Sequence, residues 1–105
     1  MIFDFEIVDV SIVAPAVGTS SKKGLRFSQE CRHLIVKAPN ATVKYRVLME
    51  YDDGIPFRRI PDTGDLTGNA IKDLDALIIG VFNIYIVTDT AGTFQLRFVG
   101  EKARV

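Results

Sequence analysis

Tryptophan is absent from this chain, cysteine and histidine occur once each, and neither sign of charge prevails. Each shortage closes off a class of function. A lone cysteine, Cys31, has no partner within the chain, so the fold is not a disulfide-stapled scaffold. One cysteine and one histidine also fall short of the roughly four ligands of a structural zinc site. Thirteen basic and thirteen acidic residues cancel, leaving no bulk positive field to draw in nucleic acid or anionic lipid. The longest apolar run, Ala76 to Phe82, is far shorter than the roughly 20 residues of a membrane-crossing helix. The opening stretch carries Asp4, Glu6 and Asp9, unlike the basic start and clean apolar segment of a secretory signal. The expectation is a protein kept in a cytoplasm or assembled there into something larger. Neither nucleic acid nor membrane is expected as a partner.

What remains is ordinary globular material: 105 residues, 48% hydrophobic and 25% charged. That length suits one domain spanning 1–105 with one modest core. Its dominant pattern has period two. Val43, Tyr45, Val47, Met49 and Tyr51 alternate with Thr42, Lys44, Arg46, Leu48 and Glu50, which predicts a strand with one wet face. Phe94, Leu96 and Phe98 alternate with Gln95, Arg97 and Val99 in the same way, and Leu25 and Phe27 with Arg26 and Ser28. Residues 31–37 read as another strand, which the turn pair Pro39-Asn40 leads into the strand at Thr42. Near the start, Phe3, Phe5 and Ile7 share one phase, whereas Val8, Val10 and Ile12 share the other. That flip predicts a bulge or a sheet-to-sheet corner between Ile7 and Val8.

Turns punctuate the rest. Asp52-Asp53-Gly54 predicts a turn, and Pro56 confines Ile55–Phe57 to an edge strand. Residues 61–70 read as loop, and the spacing of Ile71, Leu74 and Leu77 predicts at most one short helix near 70–77. Leu77 to Val87 is apolar on both faces, interrupted by Gly80 and Asn83. It reads as a central strand covered on both sides, or one whose outer face meets another subunit. Asp89–Gly92 predicts a hairpin into the last strand. Regularly recurring turns with alternating strands predict an all-β fold: an antiparallel β-sandwich, jelly-roll-like, or a small barrel.

Candidate chemistry is sparse. Cys31 and His33 are two apart, which on a regular strand places both on one face as half a metal site or a nucleophile pair. With no further ligand, a buried cysteine beside a strand-face histidine is the stronger reading. Asp62, Asp65, Asp73 and Asp75 gather around the long loop, and calcium takes six to eight such oxygens. Their spacing misses the EF-hand pattern, and aspartates favour turns in any case. Gly64 to Gly68 lacks the Lys-Ser/Thr of a phosphate loop. Thr19, Ser20 and Ser21 sit among Gly18, Lys22, Lys23 and Gly24 without a nucleophile elbow, and read as a solvated loop. No catalytic, cofactor or metal set is complete, so no enzyme is expected. Phe27 and Tyr45 lie in a basic block, but Tyr45 points away from Lys44 and Arg46, as core does and a base-stacking platform does not.

Charge is unevenly placed along the chain. Residues 20–49 hold seven bases against Glu30, and residues 50–94 hold eight acids against Arg58, Arg59 and Lys72. Either strand pairing interleaves the two blocks, or they form opposed surfaces suited to head-to-tail contacts. In texture the chain resembles small all-β virion proteins of tailed phages, of the head-decoration (cement) and minor tail or head-fibre kinds. The stretches that carry this are Phe3-Asp-Phe-Glu-Ile-Val-Asp9, Val17-Gly-Thr-Ser-Ser21, Arg26 to Val36 and Gly92-Thr-Phe-Gln-Leu96. The resemblance implies a structural subunit without catalysis or cofactor. It would form a homo-oligomer or lattice on a larger capsid or tail protein, and be located in the virion. The alternative is a small ligand-binding β-sandwich, such as a carbohydrate-recognition module, with Tyr51 and Tyr85 as stacking residues.

Overall fold

The computed structural model describes residues 5–15, 18–27, 30–51, 59–74, 78 and 80–101. They form nine strands: β1 (Phe5–Ala14), β2 (Gly18–Phe27), β3 (Glu30–Lys37), β4 (Lys44–Tyr51), β5 (Arg59–Asp62), β6 (Leu66–Thr67), β7 (Ala70–Asp73), β8 (Gly80–Thr88) and β9 (Gly92–Glu101). One sheet has the order β1-β9-β3-β7. The other runs β2-β8-β4-β5, with the two-residue β6 also on β4. Every pairing is antiparallel.

With β5 and β6 counted as one interrupted strand, the pairings are first with last, second with second-last, and so inward to β4 with β5 and β6. The chain is therefore one long hairpin folded over on itself so that, apart from β4 and its neighbours β5 and β6, successive strands swap sheets. That is the jelly roll, an open double-sheet sandwich and not a closed barrel.

Alternation explains the core. Val10, Ile12 and Ala14 of β1, Leu34 and Val36 of β3, and Phe94, Leu96 and Phe98 of β9 are buried on the inner face of the first sheet. Phe27 of β2, Tyr45, Val47 and Met49 of β4, and Phe82, Ile84 and Ile86 of β8 are buried facing them from the second. The aromatic rings meet edge to face, as their quadrupoles favour: Phe27 lies 5.7 Å from Phe82 and 5.1 Å from Phe98, and Tyr45 lies 5.0 Å from Phe94.

Several local expectations are corrected. β1 pairs with β9 in unbroken register from Phe5 to Ala14, so no bulge separates Ile7 from Val8. Ile7 is simply an outward apolar residue, 53% exposed. Residues 18–24 are not loop but the first part of β2, and a register shift between Lys22 and Leu25 absorbs the extra residues. Asn83 holds that bulge, its Oδ1 accepting a hydrogen bond from the Gly24 amide at 2.9 Å. The segment 61–70 is not plain loop, since it contributes to β5 and holds β6. Ala70–Asp73 is strand β7 where a helical turn was expected; pairing with β3 from His33 to Val36 overrides the local spacing.

Asp89–Ala91 leads not to a hairpin but to a crossing, because β8 and β9 belong to different sheets. At about 3.3 Å per residue, so short a link just spans the roughly 10 Å between packed sheets. The turn at Asp52–Gly54, the edge strand at Ile55–Phe57, and Asp75 and Leu77 lie outside the described residues.

The connection between β5 and β6 is pinned to β4. Thr63 donates its amide to the Val47 carbonyl and accepts the Val47 amide on Oγ1, both at 3.1 Å. The Gly68 amide donates to the Val43 carbonyl at 2.9 Å. Gly64 and Gly68 both have positive φ, +72° and +60°. A Cβ on Gly68 would sit 2.6 Å from the Ala41 carbonyl oxygen, whereas one on Gly64 would meet nothing within 4 Å. Gly64→Ala is therefore expected to cost about 1 kcal/mol, the left-handed backbone penalty alone. Gly68→Ala should cost clearly more, about 3 kcal/mol with the added backbone clash. Urea unfolding of the two variants compares them, and equal costs would show that the Ala41 carbonyl gives way freely.

Candidate functional site

The interior is where a jelly roll can hold a ligand, and here it is filled. The fifteen inward side chains named above converge with Cys31, Val43 and Ile78 in one continuous apolar cluster. Tyr45 places its hydroxyl in this layer and donates to the Gly68 carbonyl at 2.7 Å. Burial pushes its pKa up to about 12. Any site must therefore be sought on the outer faces and edges.

On the outer face of the first sheet, the registers of β1, β9, β3 and β7 line side chains up in rows. Asp9 stands beside Arg97, Arg97 beside Ile35, and Ile35 beside Ile71; the adjacent row is Ser11, Gln95 and Lys37. Asp9, Ser11, Ile35, Lys37, Gln95 and Arg97 line an open concavity of about 510 Å³. Its fixed point is a two-pronged ion pair. Arg97 Nε and Nη2 donate to Asp9 Oδ1 and Oδ2 at 2.7 and 3.0 Å. That fork matches guanidinium to carboxylate. The hydrogen bond from Arg97 holds the Asp9 carboxyl below its ordinary pKa and raises the guanidinium in turn. The floor offers charge and amide groups but no aromatic ring.

The sequence candidates are dispersed. A register shift between Cys31 and His33 inserts one extra residue opposite β9. Cys31 therefore turns into the core while His33 turns outward, where its Nδ1 lies 2.8 Å from Asp73 Oδ1. The expected common face does not exist; a bulge breaks period two. The loop aspartates part company as well. Asp62 pairs with Arg46 Nη2, and Asp65 lies 3.9 Å from Arg46 Nε, both beside β4. Asp73 belongs to the other sheet. Among the described residues, no three His, Cys, Asp or Glu side chains gather closely enough to hold a metal ion.

Thr19, Ser20 and Ser21 stand along β2 with no histidine near in register. Phe27 and Tyr45 are core, so neither stacks on a base. Of the two tyrosines offered as a sugar platform, Tyr51 faces inward and stacks on Phe82 at 4.4 Å. Tyr85 lies on the outer face of β8, opposite Leu48 of β4 and Ser21 of β2. The two do not share a surface.

The charge blocks interleave in part: Arg46 meets Asp62 and Asp65, and His33 meets Asp73. Sequence reading missed the Asp9–Arg97 pair. Its two members sit 88 residues apart, and only the first-with-last pairing of the jelly roll brings them together. The outward half of the period-two pattern was the available signal.

Neither a scan of protein-family models nor a search of curated proteins finds a match for this chain.

Two titrations follow from these contacts. Because the folded pKa of Asp9 is depressed, its contribution is present above the unfolded carboxylate value and is lost as pH falls through the folded one. Asp9→Asn should lower the urea midpoint at pH 7 and leave it unchanged at pH 2; a difference that persists at pH 2 would refute the assignment. The raised pKa of Tyr45 works in the opposite direction, its stabilisation being complete below about pH 10 and lost as pH climbs towards 12. Absorbance titration at 295 nm should show one tyrosine ionising last, and Tyr45→Phe should remove that step.

Proposed function

We propose that this chain is a non-enzymatic structural subunit of a larger assembly, acting through its outer surfaces. The observation that carries this reading is an apolar core between the sheets together with large apolar side chains left exposed outside. Between the sheets the described inward side chains pack into one apolar cluster, while Ile7, Val13 and Ile71 are each more than half exposed. Side chains of that kind gain free energy when a partner covers them. The reactive groups that the sequence offers are either spread over opposite faces or held in ion pairs, which supports binding over chemistry.

Within that class, the best-fitting role is a virion protein of a tailed phage, a capsid decoration or tail-associated subunit, with its own copies and a shell or tube protein as partners. Two things support it: the resemblance in texture along most of the sequence, and a jelly roll, an architecture that recurs in viral capsids. The latter is an analogy of fold, since lectin domains share the architecture and sites, not folds, carry function. Assembly would take place in the host cytoplasm. The carbohydrate-module reading is weakened because Tyr51 is turned into the core and the outer concavity has no ring to stack a sugar on.

The test is the association state of the purified chain. Sedimentation velocity over a hundredfold concentration range is expected to show dimers or larger species at the upper end. A single monomeric species throughout would overturn the reading, and saturable binding on a glycan array would favour the module instead.

A further inference from the structure

Four strand edges close the two sheets, and three of them are guarded in ways that block pairing with another chain. β2 carries Lys22 and Lys23 at its register shift. β5 is four residues long and contains Pro61, and β7 is equally short and carries Lys72. Lysine, proline, bulges and brevity are the ordinary means of blunting an edge. β1 has none of them. It is ten residues long, FEIVDVSIVA, in unbroken register with β9, and pairs on that side alone among the described residues. It carries two charges, Glu6 and Asp9, of which Asp9 is matched by Arg97. Two of the three most exposed large apolar side chains, Ile7 at 53% and Val13 at 72%, stand on this strand.

We propose that β1 is a self-pairing edge, through which a second copy of this chain adds antiparallel across a two-fold axis centred on Val10. This rests on the reading of the chain as an assembly subunit and names the contact.

The register follows from elimination. A shift by one residue would set outward side chains against inward ones, because strand faces alternate. A centre on Asp9 would place the two Asp9 carboxylates opposite each other, a like-charge clash. A centre on Ser11 would set Asp9 against the apolar Val13 and leave the exposed Ile7 without Val13 as its neighbour. The centre on Val10 pairs Ile7 with Val13 twice over, Asp9 with Ser11, and Val8 with Ile12. Each exposed apolar side chain then gains an apolar neighbour, and the two sheets join into one continuous eight-stranded sheet. A contact that uses the same patch on both copies closes as a dimer and leaves the rest of the surface for a different partner.

Sedimentation equilibrium of the full chain and three variants tests this, with circular dichroism confirming that each is folded. Both positions are solvent-facing in the monomer, so substitution there spares the core. The wild type is expected to dimerise. Ile7→Glu and Val13→Lys should each weaken association by about tenfold, since every dimer contains the mismatched pair twice. The double variant I7E/V13K should recover it, because the introduced carboxylate of one copy then faces the introduced ammonium of the other. An associated wild type whose single variants associate equally well would overturn the edge pairing while leaving the assembly reading intact. So would a double variant as weak as the singles. A monomeric wild type would overturn both.

Discussion

Phe94 and Phe98 leave β9 on the same side, and each meets a ring from the opposite sheet: Tyr45 at 5.0 Å and Phe27 at 5.1 Å. β9 itself is paired along both edges, with β1 on one side and β3 on the other. The strand is thus hydrogen-bonded within its sheet and bonded by packing to the other. Burial of rings this large supplies a major part of the driving force in a domain of this size. Removing the inner face of β9 would loosen the two sheets from each other, and losing the strand would leave β1 without a partner and β3 paired with β7 alone. Everything outward-facing on the first sheet, including the Asp9–Arg97 fork, is held in place by what that strand does inward.

A packed interior determines where function can reside. Jelly rolls that bind small molecules between their sheets keep space there; this one fills the layer with phenylalanine, isoleucine and valine. The polar groups that do enter are bonded: Tyr45 to Gly68, Thr63 to the β4 backbone, and Thr88 Oγ1 to the Lys44 carbonyl at 3.0 Å. Buried polar groups satisfied in this way hold a single arrangement and offer no vacant donor to a ligand. Outside, the ion pairs are solvent-exposed and contribute little to stability. Their value is in register and in keeping charges from opposing one another.

Much of the fold was legible in the sequence because its strongest signal, period two, is local. The inward sets of β4 and β9 could be listed from alternation alone, and all but the half-buried Tyr51 are buried. What could not be read was anything requiring knowledge of the partner strand. The one-residue insertion at Arg32 is invisible without β9 opposite it, so Cys31 and His33 seemed to share a face. Ala70–Asp73 has weak propensity of its own and becomes strand because β3 presents an open edge to it. Asp89–Ala91 has the composition of a hairpin turn, and only the pairing of β8 with β2 and β4 shows that it is a crossing. The outer concavity was illegible for the same reason, since its walls come from opposite ends of the described chain.

The nesting of first strand with last also sets an order of events. β9 lies between β1 and β3, so in the first sheet only the β3–β7 contact can form before β9 has been synthesised. Residues such as Phe5 and Glu101 become neighbours across nearly the whole sequence, and loops of that length close late and slowly. On a ribosome, β1 would stay without its partner strand until β9 had emerged. Crowded polysomes, with many such unfinished chains side by side, would bring those unpaired strands close to one another.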